Sequence, residues 1–268
     1  MTNKNLIRQP ASINKGYNWI DIIQDYLLPP ICILCGNTGT QGRDLCNHCH
    51  ERLHRNTLCC YKCAEILEPP ASYPMLCGHC LSATPAFDET YAPFTYQGEI
   101  RHLITTLKFG SHYKNARLLG LLLADHLKLT AQRPDLILPV PLHKARYRER
   151  GFNQAIEIAK TVGKELQLPL DLHSCLRHKN TPHQSALTAK QRRKNIKQAF
   201  SMTQAIPAQH IALLDDVMTT GSTVHELASL LKAAGVSRVD VWVVARETVK
   251  VLLHNQRDII YLSDKHNN

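Results

Sequence analysis

Four cysteine pairs of the form C-x-x-C crowd the N-terminal part of the chain: Cys32 and Cys35, Cys46 and Cys49, Cys60 and Cys63, Cys77 and Cys80. A C-x-x-C turn presents two thiolates to one ion, and two such turns complete a tetrahedral S4 shell. Ten residues separate the first two pairs and thirteen the last two. The segment lacks long periodic apolar stretches, and a module that cannot build an apolar core borrows a metal instead. The ligand set predicts one or two structural Zn2+ ions. An iron–sulfur cluster fits the same thiolates, but nothing in the chain points to redox chemistry. Sequential pairing gives two ribbons and interleaved pairing gives a cross-brace, and the spacing leaves both open. Cys59 beside Cys60 adds an ambiguity of register. His48, His50 and His79 are alternative ligands, read here as solvated loop histidines. Cys175 stands apart and reads as a small packed residue.

The compartment bears on that reading. The N-terminus is polar, with no secretory pattern, and no run reaches the roughly 18 apolar residues that span a bilayer. A cytoplasmic location without a transmembrane segment is therefore expected, and there cysteines serve as metal ligands before disulfides. The net charge of +10 and pI near 9.2 favour anionic partners such as phosphates, nucleotides or nucleic acid. A merely basic surface fits the same numbers.

After Pro85 the texture changes to strands alternating with helices, which predicts an α/β domain with a mostly parallel sheet. Apolar residues at helical spacing predict a helix over 17–28, with Trp19, Ile20, Ile23 and Leu27 on one side and Pro29 and Pro30 ending it. The expected organisation is a tail and amphipathic helix over 1–29, a cysteine module over 30–84, the α/β domain over 85–247 and a tail over 248–268.

Within the α/β domain, IALLDDVMTTGST from Ile211 to Thr223 carries the most specific chemistry. Four apolar residues predict a buried parallel strand ending on Asp215 and Asp216. Neighbouring carboxylates repel and need water, donors or a cation. The stretch after Thr223 reads as a helix that stops at Gly235. Two carboxylates at a strand end can accept hydrogen bonds from vicinal ribose hydroxyls. Thr219, Thr220, Gly221, Ser222 and Thr223 then offer hydroxyls and backbone N–H groups to a 5′-phosphate at the helix start. Gly221 admits close backbone approach.

These residues resemble the phosphoribosyl-diphosphate (PRPP) signature of type I phosphoribosyltransferases. The cysteine-rich N-terminus, LKFG, PVPLHKARYRERGFNQA, RHKNTPHQSALTAKQRRKNIKQAF and the acidic signature together resemble the ComF family. That family is similar to phosphoribosyltransferases and is associated with natural competence, the uptake of DNA by bacteria. The resemblance implies a double zinc ribbon fused to a type I phosphoribosyltransferase-like domain. It implies that Asp215 and Asp216 hold the ribose hydroxyls, directly or through Mg2+, and that Thr219 to Thr223 cradle the 5′-phosphate. In related folds the loop of Pro141, Leu142, His143 and Lys144 meets the diphosphate, and Lys144, Arg146, Arg148 and Arg150 place four cations in seven residues. Asn153 reads as a helix cap.

From Arg177 to Lys197 there are seven Lys or Arg and no Asp or Glu. By analogy this is a flap over the diphosphate, with Arg177, Lys179 and Gln184 as candidates, followed by a basic helix start near Thr188; a solvated linker fits too. Lys108 in LKFG is either a site residue or a charge at a helix end. Where purine-salvage relatives carry a base-assisting carboxylate, this chain has Thr219, which puts a purine acceptor in doubt. Two function classes follow. One is a PRPP-binding protein of natural competence that handles incoming single-stranded DNA, with other DNA-uptake or recombination proteins as partners. The other is an active phosphoribosyltransferase with an unidentified nitrogenous acceptor. Tyr61, Tyr147 and Phe152 are the aromatics nearest positive charge that would stack on single strands.

Overall fold

The computed structural model describes residues 29–68, 75–110, 112–179 and 198–247, and the backbone of the two strands Lys250–His254 and Asp258–Leu262. The helix expected over 17–28, Gln184 and the helix start near Thr188 lie outside the described residues. The chain divides into two compact units, Met1–His50 and Glu51–Asn268.

The first unit contains Cys32, Cys35, Cys46 and Cys49, the last two flanking the start of a short helix α1 (Asn47–Glu51). Its Cys32 knuckle closes where the Gly36 N–H donates to the Cys32 carbonyl at 2.9 Å, with Gly36 at φ +77°.

The second unit begins with the other two cysteine pairs and runs into the α/β domain. Its elements are α2 (Gly78–Ser82), β1 (Glu89–Tyr91), β2 (Phe94–Thr95), α3 (Gly98–Gly110), α4 (Tyr113–Thr130), β3 (Leu136–Pro139), α5 (Lys144–Arg150), α6 (Gln154–Leu166), β4 (Cys175–Arg177), β5 (Phe200–Met202), β6 (His210–Met218), α7 (Ser222–Ala233), β7 (Arg238–Arg246), β8 (Lys250–His254) and β9 (Asp258–Leu262). The main sheet runs β1-β7-β6-β3, with β2 continuing the β1 edge along β7. All its pairings are parallel. The β4–β5 and β8–β9 pairs are separate antiparallel ribbons.

The register explains why the two central strands read as near-continuous apolar runs. β6 and β7 pair with each other from His210↔Arg238 onward and are flanked by β3 and β1, so both edges of each are paired, and helices cover their faces. Ile211, Leu213, Val239, Val241 and Val243 pack in one cluster with Val224, Leu227, Ala228 and Leu231 of α7. Helices α4 and α6 pack together and against β3, β6 and β7. Asn153 caps α6 as expected, its Oδ1 accepting from the Ala155 N–H at 3.0 Å, while its Nδ2 donates to the Val140 carbonyl. Cys175 is buried.

Cys60, Cys63, Ala64 and Cys80 belong to that same α7-side cluster, so the second cysteine group shares the core of the sheet rather than standing apart. Hydrogen bonds fasten it. The Tyr61 hydroxyl donates to Glu89 at 3.0 Å, Lys62 Nζ to the Phe87 carbonyl at 3.2 Å, and the Thr90 hydroxyl to the Lys62 carbonyl at 2.6 Å. Behind Tyr61, Arg238 bridges Glu89 and the fully buried Asp240, at 2.9 and 3.0 Å, and His210 sits 2.8 Å from Asp240.

Candidate functional site

The eight C-x-x-C cysteines fall into two groups, Cys32, Cys35, Cys46 and Cys49, and Cys60, Cys63, Cys77 and Cys80. Pairing is therefore sequential, not interleaved. Within each group the four sulfurs lie within 4.8 Å of one another. The Cys77 N–H donates to Cys60 Sγ at 3.2 Å, a bond that favours the thiolate. Four soft donors converging at this spacing fit a structural Zn2+. Cys59 and the three histidines are in neither group. The expected outcome is two zinc ions per chain by elemental analysis, falling to about one when Cys63 is replaced by Ser. Two ions retained in that variant would contradict the assignment.

The acid pair sits inside a strand, not at its tip. β6 continues to Met218 because β7 is long enough to pair with it as far as Met218↔Arg246. On the other side β3 stops at Pro139↔Leu214, so beyond Leu214 the strand is bordered on one side only. Asp215 and Asp216 are thus the first residues of β6 past the end of β3, at the carboxyl edge where open α/β sheets bind ligands. The Val140 N–H donates to the Leu214 carbonyl at 2.8 Å, so the loop of Pro141, Leu142, His143 and Lys144 begins beside the acids. In that loop His143 Nδ1 caps α5 by accepting from the Ala145 N–H, and Lys144 is exposed.

Lys108 Nζ lies 2.6 Å from Asp216 Oδ2. It gets there because Ile100, Leu103, Ile104 and Leu107 bury one face of α3, carrying the last turn over the strand end. Lys108 is therefore not a plain surface charge at a helix end: its ammonium is half-buried on Asp216. Burial disfavours the Lys108 ammonium, but Asp216 outweighs it and holds its pKa above the ordinary value. The reciprocal effect acts on Asp216: burial opposes ionisation, Lys108 overcomes it, and the carboxyl is held below its usual range. Loss of solvation, then the Asp216 charge, push Asp215 up to about 8. Arg150 is within electrostatic reach of both acids, and Arg177, at the end of β4, of Asp215; Arg146 lies near both arginines. Lys108, Arg146, Arg150 and Arg177 therefore converge from three separate elements. Arg148 and Lys179 are exposed. Among the described residues, Arg150 Nε and the buried Gln154 Nε2 have no acceptor.

Past Met218 the chain turns through Thr219 and Thr220 into α7. Gly221 has φ +73°, a backbone conformation that selects glycine; a Cβ there would stand 2.6 Å from Met218 Cε, the flexible end of a side chain. The Thr220 and Ser222 hydroxyls are 2.8 Å apart. The His225 N–H donates to the Gly221 carbonyl at 2.9 Å. The N–H groups of Ser222, Thr223 and Val224 precede that bond and have no acceptor within the helix.

Sequence reasoning missed Arg246. This buried guanidinium, at the end of β7, donates Nε to the Cys63 carbonyl at 2.9 Å and Nη1 to the Met218 carbonyl at 3.1 Å. It also bonds the Thr219 carbonyl, the Glu247 carbonyl and the Glu65 carboxylate. One side chain thus joins the Cys60–Cys63 knuckle to the entry of the glycine loop. The sequence signal was faint: an arginine closing an apolar strand.

The opposed shifts of the pair set a pH dependence. The native-state pKa of Asp215 lies above its unfolded value, so its contribution to stability is full below the unfolded pKa and is lost as pH rises through about 8. Asp215→Asn removes that loss. Its melting temperature relative to the parent chain is expected to rise by several degrees between pH 5 and pH 8.5, as measured by scanning calorimetry; a constant difference would contradict the shift.

Fold and site together define a phosphoribosyltransferase-like protein carrying a double zinc ribbon. The family model for the double zinc ribbon domain matches residues 23–81, and that for the phosphoribosyl transferase domain matches residues 150–268. Competence protein F of Haemophilus influenzae is 36% identical over 225 residues, covering 80% of this chain and 96% of that protein. DNA utilization protein YhgH of Escherichia coli strain K12 is 33% identical over 226 residues, covering 82% and 98%. The solved structure of glutamine PRPP amidotransferase from B. subtilis, complexed with ADP and GMP, aligns at 17% identity and a TM-score of 0.32, covering 48% of this chain and 25% of that one. The chain belongs to the ComF family, that of competence protein F and YhgH. Among the described residues no helix is long and apolar enough to cross a membrane.

Proposed function

We propose that this protein binds PRPP at Asp215, Asp216 and Thr219–Thr223 and acts in natural competence, handling incoming single-stranded DNA. The observation that carries the reading is the juxtaposition of an acid pair, Asp216 buried and Asp215 half-buried, with cations from three elements and a glycine-led helix start. Acids accept vicinal hydroxyls, the helix start takes a phosphate, and the cations suit a diphosphate. The donors of Arg150 Nε and Gln154 Nε2 would be satisfied by ligand oxygens. Mg2+ takes carboxylate and phosphate oxygens, and Asp215 and Asp216 are the residues that would hold it beside the ligand. When bound, it offsets diphosphate charge. The loop of Pro141–Lys144 and the stem residue Arg177 would face the diphosphate, with Lys179 and Gln184 in the covering segment.

Single-stranded DNA and other DNA-uptake or recombination proteins are the proposed partners. The names of the two curated relatives support that role, and the charge of +10 suits a polyanion. A cytoplasmic site of action accords with it. A second reading, transfer of ribose 5-phosphate to a nitrogenous acceptor, is favoured by the cation cluster, which would stabilise departing diphosphate. Diphosphate release from PRPP and Mg2+, measured across bases, amines and water, separates the two. No release despite PRPP binding is expected of the binding protein, and turnover with any acceptor would establish the transferase. Fluorescently labelled oligo(dT) is expected to bind at about 50 mM salt and weaken steeply with added salt; no binding there would remove the DNA role.

A further inference from the structure

The proposed sugar-phosphate site leaves the base of a nucleotide or acceptor without a partner. We infer that the ring of Phe109, backed by the Arg150 guanidinium, is a stacking platform for a planar nucleobase. The inference rests on the sugar-phosphate reading for its position and on the geometry around Phe109 for its chemistry.

Phe109 is 64% exposed, on a helix whose other large apolar residues Ile100, Leu103, Ile104 and Leu107 are fully buried. A lone exposed apolar side chain needs no explanation, but this one is placed. It directly follows Lys108, whose ammonium lies on Asp216, so one helix end carries both the ion pair at the sugar site and the ring. The Arg150 guanidinium stands 5.5 Å from the ring centroid, and the same guanidinium is within electrostatic reach of both acids. Phe152, which the sequence offered for stacking, is buried, with the Tyr113 ring 5.0 Å away. The α3–α4 corner is held by Asn115, whose Nδ2 donates to the Leu103 carbonyl at 3.0 Å and to the Thr106 hydroxyl at 2.7 Å. An exposed ring with a cation on one side, held beside an anion site, suits a flat heteroaromatic group linked to phosphate.

The base has two possible sources, a free base meeting bound PRPP or a nucleotide of single-stranded DNA. Three proteins separate them: the parent chain, Phe109→Ala and Phe109→Trp, each checked for an unchanged melting temperature. The probes are a labelled (dT)12, an abasic 12-mer of equal charge, and adenine or uracil titrated calorimetrically with PRPP and Mg2+ present. Because a base stacks on an aromatic ring whatever its sequence, Phe109→Ala is expected to weaken (dT)12 by about tenfold, leave the abasic strand and the salt slope unchanged, and be rescued by Phe109→Trp. That pattern assigns the platform to DNA. Loss of adenine or uracil binding alone, with PRPP affinity unchanged, assigns it to a free base. Equal losses on both oligonucleotides, or no loss on any probe, overturn the inference. If the parent chain binds no PRPP, the sugar-phosphate reading falls and the two oligonucleotides alone decide this one.

Discussion

Replacing Asp215 and Asp216 together by Asn is expected to lower PRPP affinity at least 100-fold while both zinc ions stay in place. A hydrogen bond to a charged group contributes about 1.5–3 kcal/mol and a neutral one about 0.5–1.5 kcal/mol, and the double change removes both the ionised Asp216 and the Asp215 carboxyl offered to the ribose hydroxyls. It also removes the anion that holds Lys108, whose ammonium lies 2.6 Å from Asp216. The zinc groups share no ligand with the pair, so metal content is the control. Calorimetry with elemental analysis reads both quantities. Affinity within threefold of the parent would show that the sugar binds elsewhere.

The second large effect is on stability. Arg246→Met is expected to lower the melting temperature by about 10 °C. Breaking a buried, hydrogen-bonded charge pair costs about 3–5 kcal/mol, and 1 kcal/mol moves the midpoint by roughly 2–4 °C at this size. The loss falls on the carbonyls of Cys63, Met218 and Thr219 and on the Glu65 carboxylate, all donated to by this guanidinium. Arg246→Lys keeps the charge but not the planar fork, and should fall between. Trp242, buried four residues earlier on the same strand, offers a fluorescence probe of the transition. A midpoint within 2 °C of the parent would show that the knuckle and the glycine loop stand without this tie.

The strand, loop and helix of Ile211–Ala233 were legible because each step has its own local cause. Apolar residues mark a strand buried on both faces, Gly221 meets a positive φ, and the following residues have helical spacing. The cysteines were legible as ligands but not in their pairing, since spacing says which thiols share a turn and not which turns share an ion. The position of the acids within β6 was not legible: it depends on β7 outrunning β3, a relation between distant strands. Lys108 meets Asp216 from 108 residues away, and only the packing of α3 brings it there. The incorporation of Cys60, Cys63, Ala64 and Cys80 into the sheet's core was equally hidden, because small residues carry no pattern that names their partner.

The most direct measurement is a calorimetric titration of the zinc-loaded protein with PRPP, with and without Mg2+. Saturable binding of one PRPP per chain, strengthened by Mg2+ and competed by ribose 5-phosphate, is the expected result. No heat at millimolar PRPP, or binding that ribose 5-phosphate leaves unchanged, would contradict the account.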